Sequence, residues 1–251
     1  MCGIVGYVGD QGSAEILLGG LQRLEYRGYD SAGVAVFDGT RTRVGRSVGK
    51  LINLVRQLAA EPLPGTVGIG HTRWATHGRP SEENAHPHTA GPVTVVHNGI
   101  IENHLALRAE LAARGHVFRS ETDTEIFSHA IREQLDAGLG LEAAVRAVIK
   151  RVEGSYAIAV LSESEPDKLV AAKNASPLVV GLGKGETFLA SDVPALLSHT
   201  RQVIFLEEGD LAVIDRAGAR ITDQEGNVLQ RQVHQINWTP SQAEKGGFKH
   251  F

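Results

Sequence analysis

The sequence predicts an α+β fold of layered helices and mostly antiparallel sheets. Three observations carry that prediction. Short Val/Ile-rich segments bounded by turn residues recur along the chain. Amphipathic helical stripes fall in clusters between them. Strict β-α-β alternation, which a doubly wound parallel sheet requires, is absent. Composition agrees: 251 residues with 42% hydrophobic content supply an ample core, and 29 glycines favour many turns.

The elements follow in order. Segments 3–8, 32–37, 66–72 and 93–97 read as strands, as do 156–161, 169–173, 178–181, 188–191, 203–206 and 211–214. Ile16, Leu17, Leu21 and Leu24 place a helix after the first strand. Leu51, Leu54, Val55 and Leu58 repeat at i, i+3, i+4, i+7 and place another. Leu107 and Leu111 mark a helix after Asn103. Ile126, Ala130, Ile131 and Leu135 form a stripe that Thr122 and Glu125 would open as a capping box. Leu141, Ala144, Val145, Val148 and Val152 form the last stripe. Segment 237–251 is polar, weakly periodic and carries Pro240 and the pair Gly246-Gly247, so it reads as a linker after a domain at 1–236.

Charge and cysteine content exclude several functions. Lys and Arg total 25 against 29 Asp and Glu, a net charge of −4, which argues against nucleic-acid and membrane-surface binding. No apolar run is long enough to span a bilayer, and the N-terminus lacks the basic region of a signal peptide, so a cytoplasmic protein is expected. The single cysteine excludes an internal disulfide and a Cys-rich zinc cluster.

That cysteine is Cys2. Removal of Met1 would unite a thiol nucleophile with a free α-amine, whose reference pKa of about 7.7–8.0 suits a base near neutrality. A retained Met1 would acylate that nitrogen. The other reading is a small buried hydrophobe at the start of a strand. LEYRGYDSAG at 24–33 crowds Arg27, Tyr29 and Asp30 into one short connection, with Gly28 read as a left-handed helix cap. GHTRWATHG at 70–78 carries Arg73, Trp74, Thr76 and His77; an arginine fork suits a carboxylate. His77, His86 and His88 invite a metal reading, but no matching carboxylates are spaced beside them, and no metal is expected. Asn98-Gly99 is equally a hairpin turn and an oxyanion hole made of an amide side chain and a backbone N–H. Asp123, in SETDTE at 120–125, reads either as a favourable helix-start charge or as a partner for a substrate ammonium. Taken together, these residues suit hydrolysis of the side-chain amide of glutamine or asparagine.

The motifs CGIVGYVG, LEYRGYDSAG, GHTRWATHG, HNGIIENH, SETDTE, ASPLVVGLG, ASD and FLEEGD stand in the order of one family. The chain closely resembles, over nearly its whole length, the N-terminal glutaminase domain of the glutamine–fructose-6-phosphate aminotransferases. The resemblance implies an N-terminal-nucleophile hydrolase fold, a four-layer αββα sandwich of two antiparallel sheets. It implies Cys2 as nucleophile and its amine as base, with Asn98 and the Gly99 N–H as oxyanion hole. Arg73, with Thr76 and His77 beside it, would hold the glutamine carboxylate, and Asp123 the ammonium. Arg27 would order the N-terminus, and Trp74 would gate ammonia transfer. The implied activity is release of ammonia from glutamine, without a cofactor, for conversion of fructose-6-phosphate to glucosamine-6-phosphate by a sugar-phosphate isomerase domain. The full-length enzymes of this family are expected to be homo-oligomers.

Overall fold

The computed structural model describes residues 2–74 and 78–237. The first elements are β1 (Gly3–Val8), α1 (Ser13–Arg23), β2 (Ser31–Phe37), β3 (Thr42–Val48), α2 (Leu51–Ala60) and β4 (Val67–Arg73). Next come β5 (His88–Ala90), β6 (Val93–Ile101), α3 (His104–Ala113), α4 (Glu125–Asp136) and α5 (Leu141–Ile149). Then follow β7 (Gly154–Ser162), β8 (Leu169–Asn174), β9 (Val179–Leu182) and β10 (Thr187–Ala190). The last are β11 (Gln202–Phe205), β12 (Leu211–Asp215), β13 (Gly218–Thr222), β14 (Val228–Leu229) and β15 (His234–Gln235).

An eight-stranded sheet runs β15-β11-β9-β10-β1-β4-β2-β3, and a seven-stranded sheet runs β14-β13-β12-β8-β7-β6-β5. Neighbouring strands pair antiparallel in both, as the expected α+β class requires. Side-chain alternation sorts the apolar residues into three layers. Val5, Tyr7 and Val34 pack with Leu17, Leu21 and Leu54 of α1 and α2. Val93, Val95 and Ile158 pack with Phe127, Ile131 and Val145 of α4 and α5. Ile4, Ile69, Val96, Ala157 and Leu189 fill the space between the sheets. The order is helices, sheet, sheet, helices, the αββα sandwich. Full burial of each large aliphatic side chain contributes about 1.5–3 kcal/mol.

β4 shows how sequence sets this arrangement. Ile69, His71 and Arg73 alternate with Gly68, Gly70 and Thr72. A Cβ on Gly68 would lie 2.9 Å from Leu17, and one on Gly70 would lie 3.1 Å from Leu21. The glycines let α1 press against the strand, which leaves the other face to carry His71 and Arg73 inward.

Some expectations need correction. Asn98-Gly99 is not a hairpin turn: both lie within β6, with Asn98 opposite Ala157 and Gly99 opposite Tyr156. Flanking apolar residues on both sides extend the strand through them. Gly28 is not a left-handed cap, since its φ of −173° is extended. Thr122 and Glu125 do not form a capping box: α4 has Thr124 at its N-cap with no side-chain cap bond. β3, β5, β13, β14 and β15 were not expected; they are short, or polar like TRVGRSV in β3 at a sheet edge, and so lack an apolar run. Among the described residues, no helix is long and apolar enough to cross a membrane. All but Asn237 of the expected linker lies outside the described residues.

Candidate active site

Cys2 sits at the head of β1, in the middle of its sheet between β4 and β10. Two strands hold it there. Ser191, just after β10, exchanges backbone and side-chain bonds with Ile4: the Ile4 N–H donates to Ser191 Oγ at 3.0 Å, and the Ser191 N–H donates to the Ile4 carbonyl at 3.0 Å. At the end of β4, the Trp74 N–H donates to Cys2 Sγ at 3.2 Å. Burial pushes the Cys2 thiol up, against the pull of the Trp74 N–H. The thiol is therefore protonated at neutrality and needs a base to become nucleophilic.

The LEYRGYDSAG connection buttresses this corner. Gly28 lies against the Arg73–Trp74 peptide; a Cβ there would fall 2.7 Å from the Arg73 carbonyl carbon and 3.0 Å from Trp74 N. The Asp30 N–H donates to the Arg73 carbonyl at 3.1 Å. Arg27 is buried and reaches back to the N-terminus: its Nε donates to the Cys2 carbonyl at 3.1 Å, and its Nη1 meets Asp192 Oδ2 at 3.1 Å. Asp192 also accepts the Tyr26 hydroxyl at 2.6 Å. Arg27 thus ties the Cys2 backbone to Asp192. Trp74 is half-exposed and meets Tyr29 edge-to-face with ring centroids 5.4 Å apart.

Asn98 enters from β6 of the second sheet. Its Nδ2 donates to the Cys2 carbonyl at 3.0 Å, and its Oδ1 accepts from His71 Nε2 at 2.9 Å. Gly99 follows with φ +141°, and a Cβ there would lie 2.0 Å from the Ser155 carbonyl oxygen. Only glycine fits, so the β6 and β7 backbones close up beside the thiol. Asp123, just before α4, accepts the Ile101 N–H at 2.8 Å and is 7% exposed. Its carboxylate serves β6 rather than the start of the helix.

Cys2, Arg27, Arg73, Trp74, Asn98, Gly99 and Asp123 line one cleft of about 290 Å³. Thr76 and His77 lie outside the described residues. Sequence reasoning missed several further lining residues, among them Thr122, Ser155, Ser176 and Pro177. Ser176-Pro177 belong to ASPLVVGLG, quoted above without a role. The ASD motif likewise acquires a task, with Ser191 on β1 and Asp192 on Arg27. Among the described residues, no cluster of His, Cys, Asp or Glu is arranged to hold a metal ion. His86 and His88 instead sit edge-on to each other, with centroids 4.8 Å apart, hydrogen-bonded to Thr124 and Thr122, and His86 forms part of the cleft wall.

A glutamine amidotransferase domain profile matches residues 71–198, half of the chain. The chain belongs to the glutamine amidotransferase domain family. Among similar proteins, this amidotransferase domain is 56% identical over its whole length to a glutamine–fructose-6-phosphate aminotransferase (isomerizing) of Symbiobacterium thermophilum. It is 51% identical to the enzyme of that name in Methanothermobacter thermautotrophicus. It spans only 41% and 43% of those two proteins. Among solved structures, the glutamine phosphoribosylpyrophosphate amidotransferase of B. subtilis superposes with a TM-score of 0.78 at 23% identity. That match covers 90% of the domain and 50% of the other chain, and it establishes the shared fold.

Proposed function

We propose that this domain hydrolyses glutamine to glutamate and ammonia through a thioester on Cys2. The observation that carries the reading is convergence. One small cleft joins the only thiol in the chain to Asn98, Gly99, Arg73 and Asp123, which come from both sheets and the approach to α4. At about 290 Å³ the cleft is at the small end for ligand sites, which suits a free amino acid.

In this reading, Arg73 pairs with the α-carboxylate and Asp123 with the α-ammonium, which fixes the side-chain amide over Cys2. After Met1 is removed, the Cys2 amine takes the thiol proton as sulfur attacks the amide carbon. The carbonyl electrons move to oxygen, and that oxyanion is met by an Asn98 Nδ2 hydrogen and the Gly99 N–H. Collapse breaks the C–N bond, and the amine returns the proton to the leaving nitrogen as ammonia. Water then attacks the thioester, losing its proton to the same amine. Collapse gives glutamate, and the proton returns to sulfur. No cofactor enters any step.

The relatives' size and name extend the reading. In a longer protein, segment 237–251 would lead to a sugar-phosphate isomerase domain. That domain would capture the ammonia to make glucosamine-6-phosphate from fructose-6-phosphate, with Trp74 gating the transfer. The assay is glutamate release from glutamine and from asparagine, with N-terminal mass spectrometry on the same sample. Release from glutamine only by chains lacking Met1 supports the mechanism; equal release by chains retaining Met1 overturns it. Fructose-6-phosphate should leave the rate of this domain unchanged, because a ligand must bind somewhere to shift an equilibrium.

A further inference from the structure

We infer that His71 is a positioning residue that fixes which end of the Asn98 amide faces Cys2, so the oxyanion donor is set before substrate arrives. The inference rests on the amidase reading above.

His71 Nε2 lies 3.1 Å from the His97 carbonyl oxygen and 2.9 Å from Asn98 Oδ1. A backbone carbonyl only accepts, so Nε2 carries the ring hydrogen. The Asn98 atom sharing that hydrogen must also be an acceptor, which is the oxygen. An amide turned by half a rotation would set its NH₂ against the His71 N–H, two buried donors facing each other. At its other end, Asn98 Nδ2 donates to the Cys2 carbonyl at 3.0 Å, again an atom that only accepts. Both ends agree, and Nδ2 keeps a second hydrogen for the cleft.

The contacts at Nε2 set the tautomer, and the neighbours fix the position of the His71 ring. Its ring stacks on His86 with centroids 4.0 Å apart and an interplanar angle of 18°. The His97 N–H donates to His86 Nδ1 at 3.3 Å, which leaves the His86 hydrogen on Nε2, facing Thr124 Oγ1 at 3.3 Å. The Thr124 hydroxyl then donates to His97 Nδ1 at 3.0 Å. Hydrogen-bond direction is thus set along His86, Thr124 and His97 Nδ1. An added proton on His71 would fall on Nδ1, which is buried with no hydrogen-bond partner. Burial, with His97 and Arg73 nearby, outweighs the Asn98 bond and pushes His71 down to about 3. His86, His88 and His97 are pushed down as well, chiefly by burial. The amide orientation is therefore independent of pH near neutrality. A leucine would fill the space between the sheets without these costs, so a polar ring there points to the bond it makes.

The test uses three variants. His71→Phe keeps a flat ring against His86 but has no N–H. His71→Asn is too short to reach the Nε2 position. His71→Gln places an amide N–H near it. The expected result is a kcat loss of about 100-fold in His71→Phe and His71→Asn, the size seen when one oxyanion donor is removed. KM for glutamine should stay within about threefold, because the lost interaction belongs to the transition state. His71→Gln should restore kcat to within about fivefold of wild type, the donor being present again. Affinity for the γ-aldehyde analogue of glutamine, whose thiol adduct bears the oxyanion, should fall in step with kcat, while glutamate affinity holds. Equal losses of kcat, affinity and thermal stability in all three variants, or an unchanged kcat in His71→Phe and His71→Asn, would overturn the positioning role. Asn98→Ala serves as the control: if it and His71→Phe both leave glutamine hydrolysis intact, the oxyanion-hole reading itself fails.

Discussion

The Trp74 backbone N–H donates to the Cys2 sulfur at 3.2 Å, although the two residues are 72 positions apart. The first sheet brings them together, because β1 and β4 are adjacent antiparallel strands, with Gly3 opposite Thr72. The same Arg73–Trp74 peptide is pressed from behind by Gly28. Gly28→Ala should therefore push that peptide toward the cleft. Glutamate release is expected to fall at least about tenfold, more than any stability loss explains, because small misplacements at a reacting centre are costly. Steady-state kinetics beside a thermal melt checks this; a variant that melts early but keeps wild-type kcat would contradict it.

Cys2→Ala should abolish glutamate release and change stability by under about 1 kcal/mol, since the thiol is only partly buried at a strand end. Cys2→Ser should be severely impaired, a hydroxyl being a weaker nucleophile at neutral pH. Wild-type kcat/KM should rise with pH through about 7–8 as the α-amine loses its proton. Turnover by Cys2→Ala would remove Cys2 from the mechanism.

Arg73→Lys and Asp123→Asn should each raise KM for glutamine by about 10- to 100-fold, the worth of one charge-assisted contact. Lysine keeps the charge but loses the fork; asparagine keeps an acceptor for the Ile101 N–H but loses the charge. Asp123→Asn should also discriminate less against analogues lacking the α-amine. Isothermal titration with glutamine analogues on the Cys2→Ala background separates the two effects.

Gly99→Ala should destabilise the fold by about 2–4 kcal/mol, since a methyl group would meet backbone rather than a movable side chain. The contact at stake is the Ser155 carbonyl, 2.0 Å from the new carbon. Urea unfolding measures the loss, and a change under about 0.5 kcal/mol would show that β6 and β7 can separate freely.

Glu125 predicts an acid limit. Burial raises its pKa, but the nearby His129 ring, 3.8 Å away, and bonds from the Ser120 hydroxyl and N–H and the Arg119 N–H outweigh this and bring it to about 2. Its folded value lies below its ordinary 4.5, so the stability it contributes is present above pH 4.5 and is lost as pH falls toward 2. That contribution is on the order of 3 kcal/mol. Denaturation at several pH values should show this slope in wild type and a flatter one in Glu125→Gln, whose amide does not titrate.

Cys2, Arg73, Asn98, Gly99 and Asp123 were legible in the sequence because each sits in a short motif whose chemistry is local, whereas Ser155, Ser176 and Pro177 carry no such signal. A cysteine next to the initiator, an arginine at a strand end and a carboxylate ahead of a helix declare themselves without a partner in view. The apolar alternation of β1, β4, β6 and β7 likewise declared strands. Local signals failed wherever a distant partner decided the outcome. Asn98-Gly99 carries a hairpin signature, yet pairing with β7 keeps it in a strand and turns its amide toward Cys2. Gly28 resembles a helix cap, yet its role is to admit the Arg73–Trp74 peptide. Glu125 resembles half of a capping box, yet its carboxylate is drawn to the Arg119 and Ser120 N–H groups. The sequence by itself determined the α+β class and the chemical groups available. Only the tertiary structure decided which of them meet. Sheet order and hydrogen-bond direction are settled between residues far apart in the chain, where local propensity carries no information.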